Sequence, residues 1–135
     1  EGCRAPTAAE HVDDAERFVT SAGAIFDSTT GLTWQKDPAP STMTWEQAKR
    51  HCLALVVDGS GGWRLPQKPE LASLVEDRPA GPKIDTRAFS SAPAAPFWTL
   101  SPDTSSPGDA WAVDFLLGRA EARGSGNMLH VRCVR

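Results

Sequence analysis

The stretch Gly61-Gly62-Trp63-Arg64-Leu65-Pro66, running into Gln67-Lys68-Pro69-Glu70-Leu71, restricts the fold more than any other part of this chain. Two glycines free the backbone, and an aromatic, a cation and an aliphatic residue follow without a spacer. Pro66 forces residue 65 into an extended conformation. Pro69 suits the first turn of a helix, where its missing N–H is not needed. A turn, a short buried segment and a helix start therefore fall within about ten residues. Trp63 is read as a core plug, since tryptophan is usually highly buried. Arg64, with its several donors, is read as the holder of backbone carbonyls in the bend that Pro66 closes. The competing reading makes Trp63 and Arg64 a binding surface.

The clearest helix spans residues 44–55. Thr44-Trp45-Glu46-Gln47 is a capping box, and Trp45, Ala48, Cys52 and Leu55 form an apolar stripe at helical spacing. His51 lies off that stripe and is expected to be exposed. A second helix is expected over 69–77, with Leu71, Leu74 and Val75 inward, until Arg78-Pro79-Ala80-Gly81-Pro82 stops it. Short strands are expected at 18–19, 24–26 and 32–34 before the helices, and at 97–100, 110–115 and 119–123 after them. Trp111, Val113 and Phe115 alternate with Ala112 and Asp114. A final strand sets Leu129, Val131 and Cys133 on one face and His130, Arg132 and Val134 on the other. Ile84 and Phe89 anchor an irregular stretch between. Strands, two helices and a small antiparallel sheet make the chain α+β.

With 135 residues the chain is one domain with room for a core. Residues 1–16 lack apolar periodicity and read as an N-terminal tail or linker, leaving 17–135 as the domain. The chain starts at Glu1 and shows no leader, so it reads as a mature product or a fragment. A formal charge of −3 gives no reason to expect nucleic acid as a partner. No run of 18 apolar residues exists to span a membrane. Asp58-Gly59-Ser60-Gly61-Gly62 lacks the lysine and the preceding strand of a phosphate loop.

Three cysteines are too few for a disulfide scaffold and lack the close pairing of a zinc site. Cys52 and Cys133 both fall on apolar faces, which favours a bridge closing a loop of about 80 residues. Cys3 in the polar tail would be left over. Three reduced thiols of a cytosolic protein is the alternative that position alone leaves open.

The loops after residues 100 and 117 are rich in Gly, Ser and Asp and held by strands, which suits recognition. They offer Asp103, Asp109, Arg119, Arg123 and Asn127 as candidate ligand-binding residues. Arg119 and Arg123 share a face of their strand and could clamp a carboxylate or sulfate. The competing reading makes them charges that blunt an exposed edge. His11, His51 and His130 are scattered and form no evident triad, so no catalytic residues and no cofactor are assigned.

The ordered set Thr30-Gly31-Leu32-Thr33-Trp34-Gln35, Trp45-Glu46-Gln47-Ala48 with Cys52, Gly62-Trp63-Arg64-Leu65-Pro66, Glu70-Leu71, Ile84-Asp85, Phe97-Trp98-Thr99, Ala110-Trp111 and Val131-Arg132-Cys133-Val134-Arg135 resembles a known bacterial family. It is the domain at the C-terminus of the collagen-like adhesin Lcl, once catalogued as of unknown function. The resemblance covers about residues 24–135. It implies a C-type-lectin-like fold in which the first helix is tied to the last strand by a disulfide, in accord with Cys52 and Cys133. It also implies a secreted, periplasmic or cell-surface location. The role implied is non-enzymatic recognition or adhesion, with a glycan or protein ligand. That adhesin is associated with a trimer, which makes a homo-oligomer a further expectation. The Glu-Pro-Asn or Gln-Pro-Asp and Trp-Asn-Asp triplets of calcium-dependent lectins are absent. Asp103, Asp109 and Asp114 are the nearest acidic group, and no metal site is assigned. Two other functions stand beside this one. One is a relative of the formylglycine-generating oxidases, which need a reactive cysteine pair. The other is a structural or sensory ectodomain of a larger surface protein.

Overall fold

The computed structural model describes residues 17–135. The expected tail and Cys3 lie outside the described residues. Strands β1 (Phe18–Ser21), β2 (Ala24–Asp27) and β3 (Leu32–Gln35) form one antiparallel sheet in sequence order. Helices α1 (Trp45–Ala54) and α2 (Lys68–Ala72) follow. Strands β4 (Pro96–Pro102), β5 (Asp109–Asp114) and β6 (Arg119–Gly124) form a second antiparallel sheet. The class is α+β as expected, with two small sheets rather than one.

The C-terminal segment is the reason the sheets are separate. It runs between them and pairs with both. Thr33 and Arg135 exchange backbone hydrogen bonds of 2.7 and 2.8 Å, and Gln35 N–H donates to Cys133 C=O. On the other side Trp98 N–H donates to His130 C=O at 3.0 Å. The expected final strand is therefore a chain of single bridges: Leu129 to Met43, His130 to Phe97, and Val134 to both Arg64 and Trp34. Its partners run in different directions, so no ladder extends.

The alternating faces are as expected, but both sides are covered. Val113, Phe115, Phe97, Arg132 and Val134 face the α2 side, where Leu71, Leu74, Ile84, Phe89, Ile25 and Trp34 pack. Ala110, Ala112, Trp98, Leu129, Val131 and Cys133 face the α1 side, with Ala48, Cys52, Trp63 and Leu65. Cys52 and Cys133 are joined, with Cα atoms 5.4 Å apart and no exposure at either residue.

Helix α1 has the complete capping box: Thr44 Oγ1 accepts from Gln47 N–H, and Gln47 Oε1 accepts from Thr44 N–H. Helix α2 ends earlier than the sequence pattern indicates. After Ala72 the chain tightens into i→i+3 bonds at Leu74 and Val75, and Glu76 N–H then turns to Lys83 C=O. Leu74 stays buried, so the apolar pattern outlasts the helix. His51 is also half-buried rather than exposed, and its Nε2 has no hydrogen-bond partner among the described residues.

Trp63 is 2% exposed and donates its indole N–H to Ser60 C=O at 3.0 Å, so it is the expected plug. Arg64 meets the expectation only in part. Its guanidinium grips Glu70 through two bonds of 2.8 Å, and its contact with Leu65 C=O stretches to 3.5 Å. A carboxylate two-pronged like the guanidinium outcompetes a neutral carbonyl. The arginine that does hold carbonyls in the core is Arg132. It is 2% exposed, donates to Gln35 C=O at 2.7 Å and to Lys36 C=O, and lies over the Phe89 ring. Burial lowers its pKa to about 10, with the charge of Asp37 acting in opposition. Pro66 is buried, and its carbonyl accepts from Leu100 N–H at 2.7 Å.

Two carboxylates tie the chain's pH response to these contacts. The Arg64 bonds hold Glu70 below its ordinary pKa; burial opposes, and Gln67 N–H adds to the lowering. For Asp27 burial is the largest influence and acts upward. Hydrogen bonds from Arg17, Thr30 and Thr29 N–H outweigh it, so the pKa falls. A depressed folded pKa means that the unfolded chain binds protons first as pH falls. Stability from both groups is therefore full above about pH 5 and lost as pH drops through their folded values. Urea midpoints are expected to be flat from about pH 7 to 5 and to fall below about pH 4. Glu70→Gln should show a lower midpoint at neutral pH and a shallower acid fall. Parallel curves for variant and wild type would refute this assignment.

Candidate functional site

Two exposed regions on this scaffold hold convergent polar groups. The first is a rim at the N-terminal end of α1. Ser125 N–H donates to Gly108 C=O at 2.9 Å, and Trp45 N–H donates to Ser125 C=O at 3.0 Å. These bonds pin the β4–β5 loop and the turn after β6 to each other and to the helix. Within the loop, Asp103 accepts from Ser105 N–H and Oγ at 3.0 and 2.7 Å, and Asp109 accepts from Ser106 Oγ at 3.1 Å. A Cβ placed on Gly124 would lie 3.4 Å from Asn127 Nδ2 and 3.8 Å from an Asp109 oxygen. Asp109 and Asn127 therefore close around Gly124, and Asp103 joins them through its N–H to Asp109 C=O.

Arg119 and Arg123 share a face of β6, and a carboxylate lies between them, but it is the chain's own. Glu121 accepts from Arg119 Nε and from an Arg123 guanidinium nitrogen, both at 3.1 Å. These two hydrogen bonds lower the pKa of Glu121. Arg123 also stands 3.9 Å from Asp114. Arg119 pairs across from Asp114 at the far end of β6, roughly 17 Å of strand from the rim. The structure thus brings Asp103, Asp109 and Asn127 together, sets Arg123 on the adjoining strand and leaves Arg119 apart. Asp114 caps Leu116 and Leu117 N–H at that far end, so the three aspartates do not converge.

The second region is a cleft of about 360 Å³ on the outer face of the first sheet. Val19, Phe26 and Thr33 are consecutive cross-strand partners and form its floor. Val57, Asp58, Ser60, Trp63 and Arg135 line its sides. The wall hairpin is a two-residue turn, with Val57 and Ser60 exchanging bonds of 2.9 Å and positive φ at Asp58 (50°) and Gly59 (77°). This is the geometry for which Asp-Gly is suited. It also replaces the phosphate-loop comparison with a simple structural reason for the glycine. The β1–β2 turn uses the same geometry with Ala22 at φ 49°, a strained choice for alanine. Arg135 donates to Gly61 C=O at 2.9 Å and stacks 5.2 Å from the Trp63 ring.

None of Val19, Phe26, Asp58 or Arg135 stands out as a site residue in the sequence. The hairpin register was the available signal. A two-residue turn at Ala22-Gly23 sets Val19 opposite Phe26 on one face. The wall segments arrive from distant parts of the chain and carry no local signature.

Among the described residues His51 and His130 form no catalytic pair. His130 stacks on Phe97 with ring centroids 5.3 Å apart, and burial lowers its pKa toward the neutral form. Among the described residues no group of three His, Cys, Asp or Glu side chains is placed to hold a metal ion. No helix among them is long and apolar enough to cross a membrane.

No curated protein sequence matches the chain. The Lcl C-terminal domain model matches residues 23–135, a span that holds both described helices, the two bridged cysteines, the rim and most of the cleft. On that match, nearly the length of the molecule, the chain belongs to the Lcl C-terminal domain family.

Proposed function

We propose that this domain is a non-enzymatic, extracellular recognition module with a C-type-lectin-like fold, binding a glycan or protein ligand at a cell surface. The observation that carries the proposal is the rim. Two polar loops are locked to each other and to a disulfide-anchored helix by the Gly108–Ser125–Trp45 backbone bonds. Such fixed donors and acceptors lose little conformational entropy on binding. The link from α1 to the last segment supports the lectin-like assignment. A buried disulfide supports an oxidising compartment, which suits secretion, the periplasm or the surface. An oxidase of the formylglycine-generating kind needs a reactive thiol pair, whereas Cys52 and Cys133 are bonded together and fully buried.

The ligand face is assigned to Asp103, Asp109 and Asn127; Arg123 is on the adjoining strand, with its guanidinium turned to Glu121 and Asp114. Arg119 lies outside it. A glycan array and binding to intact host or bacterial cells test the proposal. Asp109→Ala with Asn127→Ala is expected to weaken any binding found by about tenfold or more, since each loses polar contacts. Arg119→Ala is expected to change it less than about twofold. An array and cell panel with no binding would favour the structural or sensory ectodomain instead.

A further inference from the structure

The two sheets have four edges, and among the described residues two of them, β1 and β6, have no strand paired on their outer side. The β3 edge is covered by residues 133–135, through the Thr33–Arg135 and Gln35–Cys133 bonds. The β4 edge is covered by His130 and by Leu100 N–H to Pro66 C=O. The β6 edge carries Arg119, Glu121 and Arg123, and charges of this kind discourage strand addition. The β1 edge reads Phe18-Val19-Thr20-Ser21, with no charge, proline or bulge. Among the described residues no strand pairs with its outer side.

The backbone groups that face outward can be named. Ser28 N–H donates to Arg17 C=O at 2.8 Å, so Arg17, Val19 and Ser21 face β2. Antiparallel alternation then turns the N–H and C=O of Phe18 and Thr20 outward. The same strand borders the cleft. Val19 is 53% exposed and its partner Phe26 43% exposed, on a face that would be polar if solvent alone covered it.

From this juxtaposition we infer that β1 is a docking edge for an extended peptide segment of a partner protein. The segment adds as a fourth strand beside β1, its backbone bonding Phe18 and Thr20. Alternate apolar side chains enter the cleft over Val19 and Phe26. Asp58 and Arg135 both line the cleft and give it one charge of each sign. The complementary segment is therefore apolar at alternate positions and carries a basic and an acidic residue. A second copy of this chain fits less well. Pairing β1 with β1 about a two-fold axis sets two clefts side by side and fills neither. This inference uses a different surface from the rim and stands whether or not the rim binds a ligand.

The test uses dodecapeptides recovered from a random phage-displayed library panned on the full chain, resynthesised and titrated by calorimetry. Recovered peptides are expected to alternate apolar residues and to slow hydrogen exchange at the Thr20 amide. Thr20→Pro removes the outward N–H at an edge that tolerates proline and should weaken them at least about tenfold. Val19→Lys, at an exposed position, should do the same if Thr20→Pro does not fold. Thr20→Ala should bind within about twofold of wild type, because the backbone groups remain. The inference is overturned if no peptide is enriched, or if the peptides bind both edge variants as they bind wild type. It is also overturned if the Thr20 amide is already protected in the free chain, which assigns the edge to residues 1–16. A dimer that Thr20→Pro makes monomeric likewise overturns it and assigns the edge to a second copy.

Discussion

Replacing Cys52 and Cys133 together by alanine is expected to lower the unfolding free energy by about 2–5 kcal/mol. The bridge spans a sequence separation of 81 residues. Loop-closure entropy for such a length gives about 4.5 kcal/mol, near the upper end of that range. The helix it anchors has few other attachments. Only Ala48 and Cys52 of α1 are fully buried, while Trp45 and Leu55 are half-covered. A one-carbon side chain and a sulfur make a narrow apolar seam for a ten-residue helix. The loss is therefore expected to appear locally as well as globally. Amides of α1 should exchange faster in the double variant than those of β5, which is covered on both faces. The rim should loosen with the helix, because Trp45 N–H is one of its tethers. Urea midpoints and native-state hydrogen exchange check this. A double variant with an unchanged midpoint would show that side-chain packing holds α1 without the bridge.

Much of this architecture is legible in local chemistry. Thr44 and Gln47 announce the start of α1 because both partners of the capping box lie within four residues. The burial of Trp63 follows from its residue type, and the pairing of Cys52 with Cys133 is favoured by their apolar faces and implied by the family resemblance. What local pattern cannot supply is the identity of the neighbour. Alternation placed Arg132 on the face of the last segment opposite Cys133, correctly, and an arginine ordinarily marks such a face as solvated. The segment instead threads between two sheets, so both faces are buried. Arg132 is accommodated by two backbone carbonyls and the Phe89 ring. Arg64 shows the converse. Its carbonyl-holding role was inferred from the bend, but Glu70 is six residues away and two turns of geometry bring it within 2.8 Å. In β6 the period of two that sets Arg119 beside Arg123 also sets Glu121 between them. The internal carboxylate was therefore legible in Arg-Ala-Glu-Ala-Arg. The cleft was not, since its floor and walls come from residues 19–33, 57–63 and 135.

Trp63→Ala is expected to destabilise the domain by about 3–5 kcal/mol, the range for deleting a large buried ring. The ring sits among Ala48, Cys52, Leu65 and Trp98 in the α1-side cluster, next to the disulfide. Its indole N–H holds Ser60 C=O, which fixes the 57–60 hairpin to the core, and Arg135 covers its outer side. Removing it opens a cavity beneath the hairpin and frees the wall of the cleft. Trp63→Phe retains most of the apolar volume and loses the hydrogen bond, so a smaller loss of about 1–2 kcal/mol is expected. The two variants separate packing from the Ser60 tether. Trp63 also lines the cleft, so binding and stability must be read together. The 2% exposure makes the structural role dominant, and the thermal midpoint should fall in step with ring volume. If Trp63→Ala melts like wild type but no longer binds a peptide or glycan, the indole is a contact residue, and its assignment to the core is wrong.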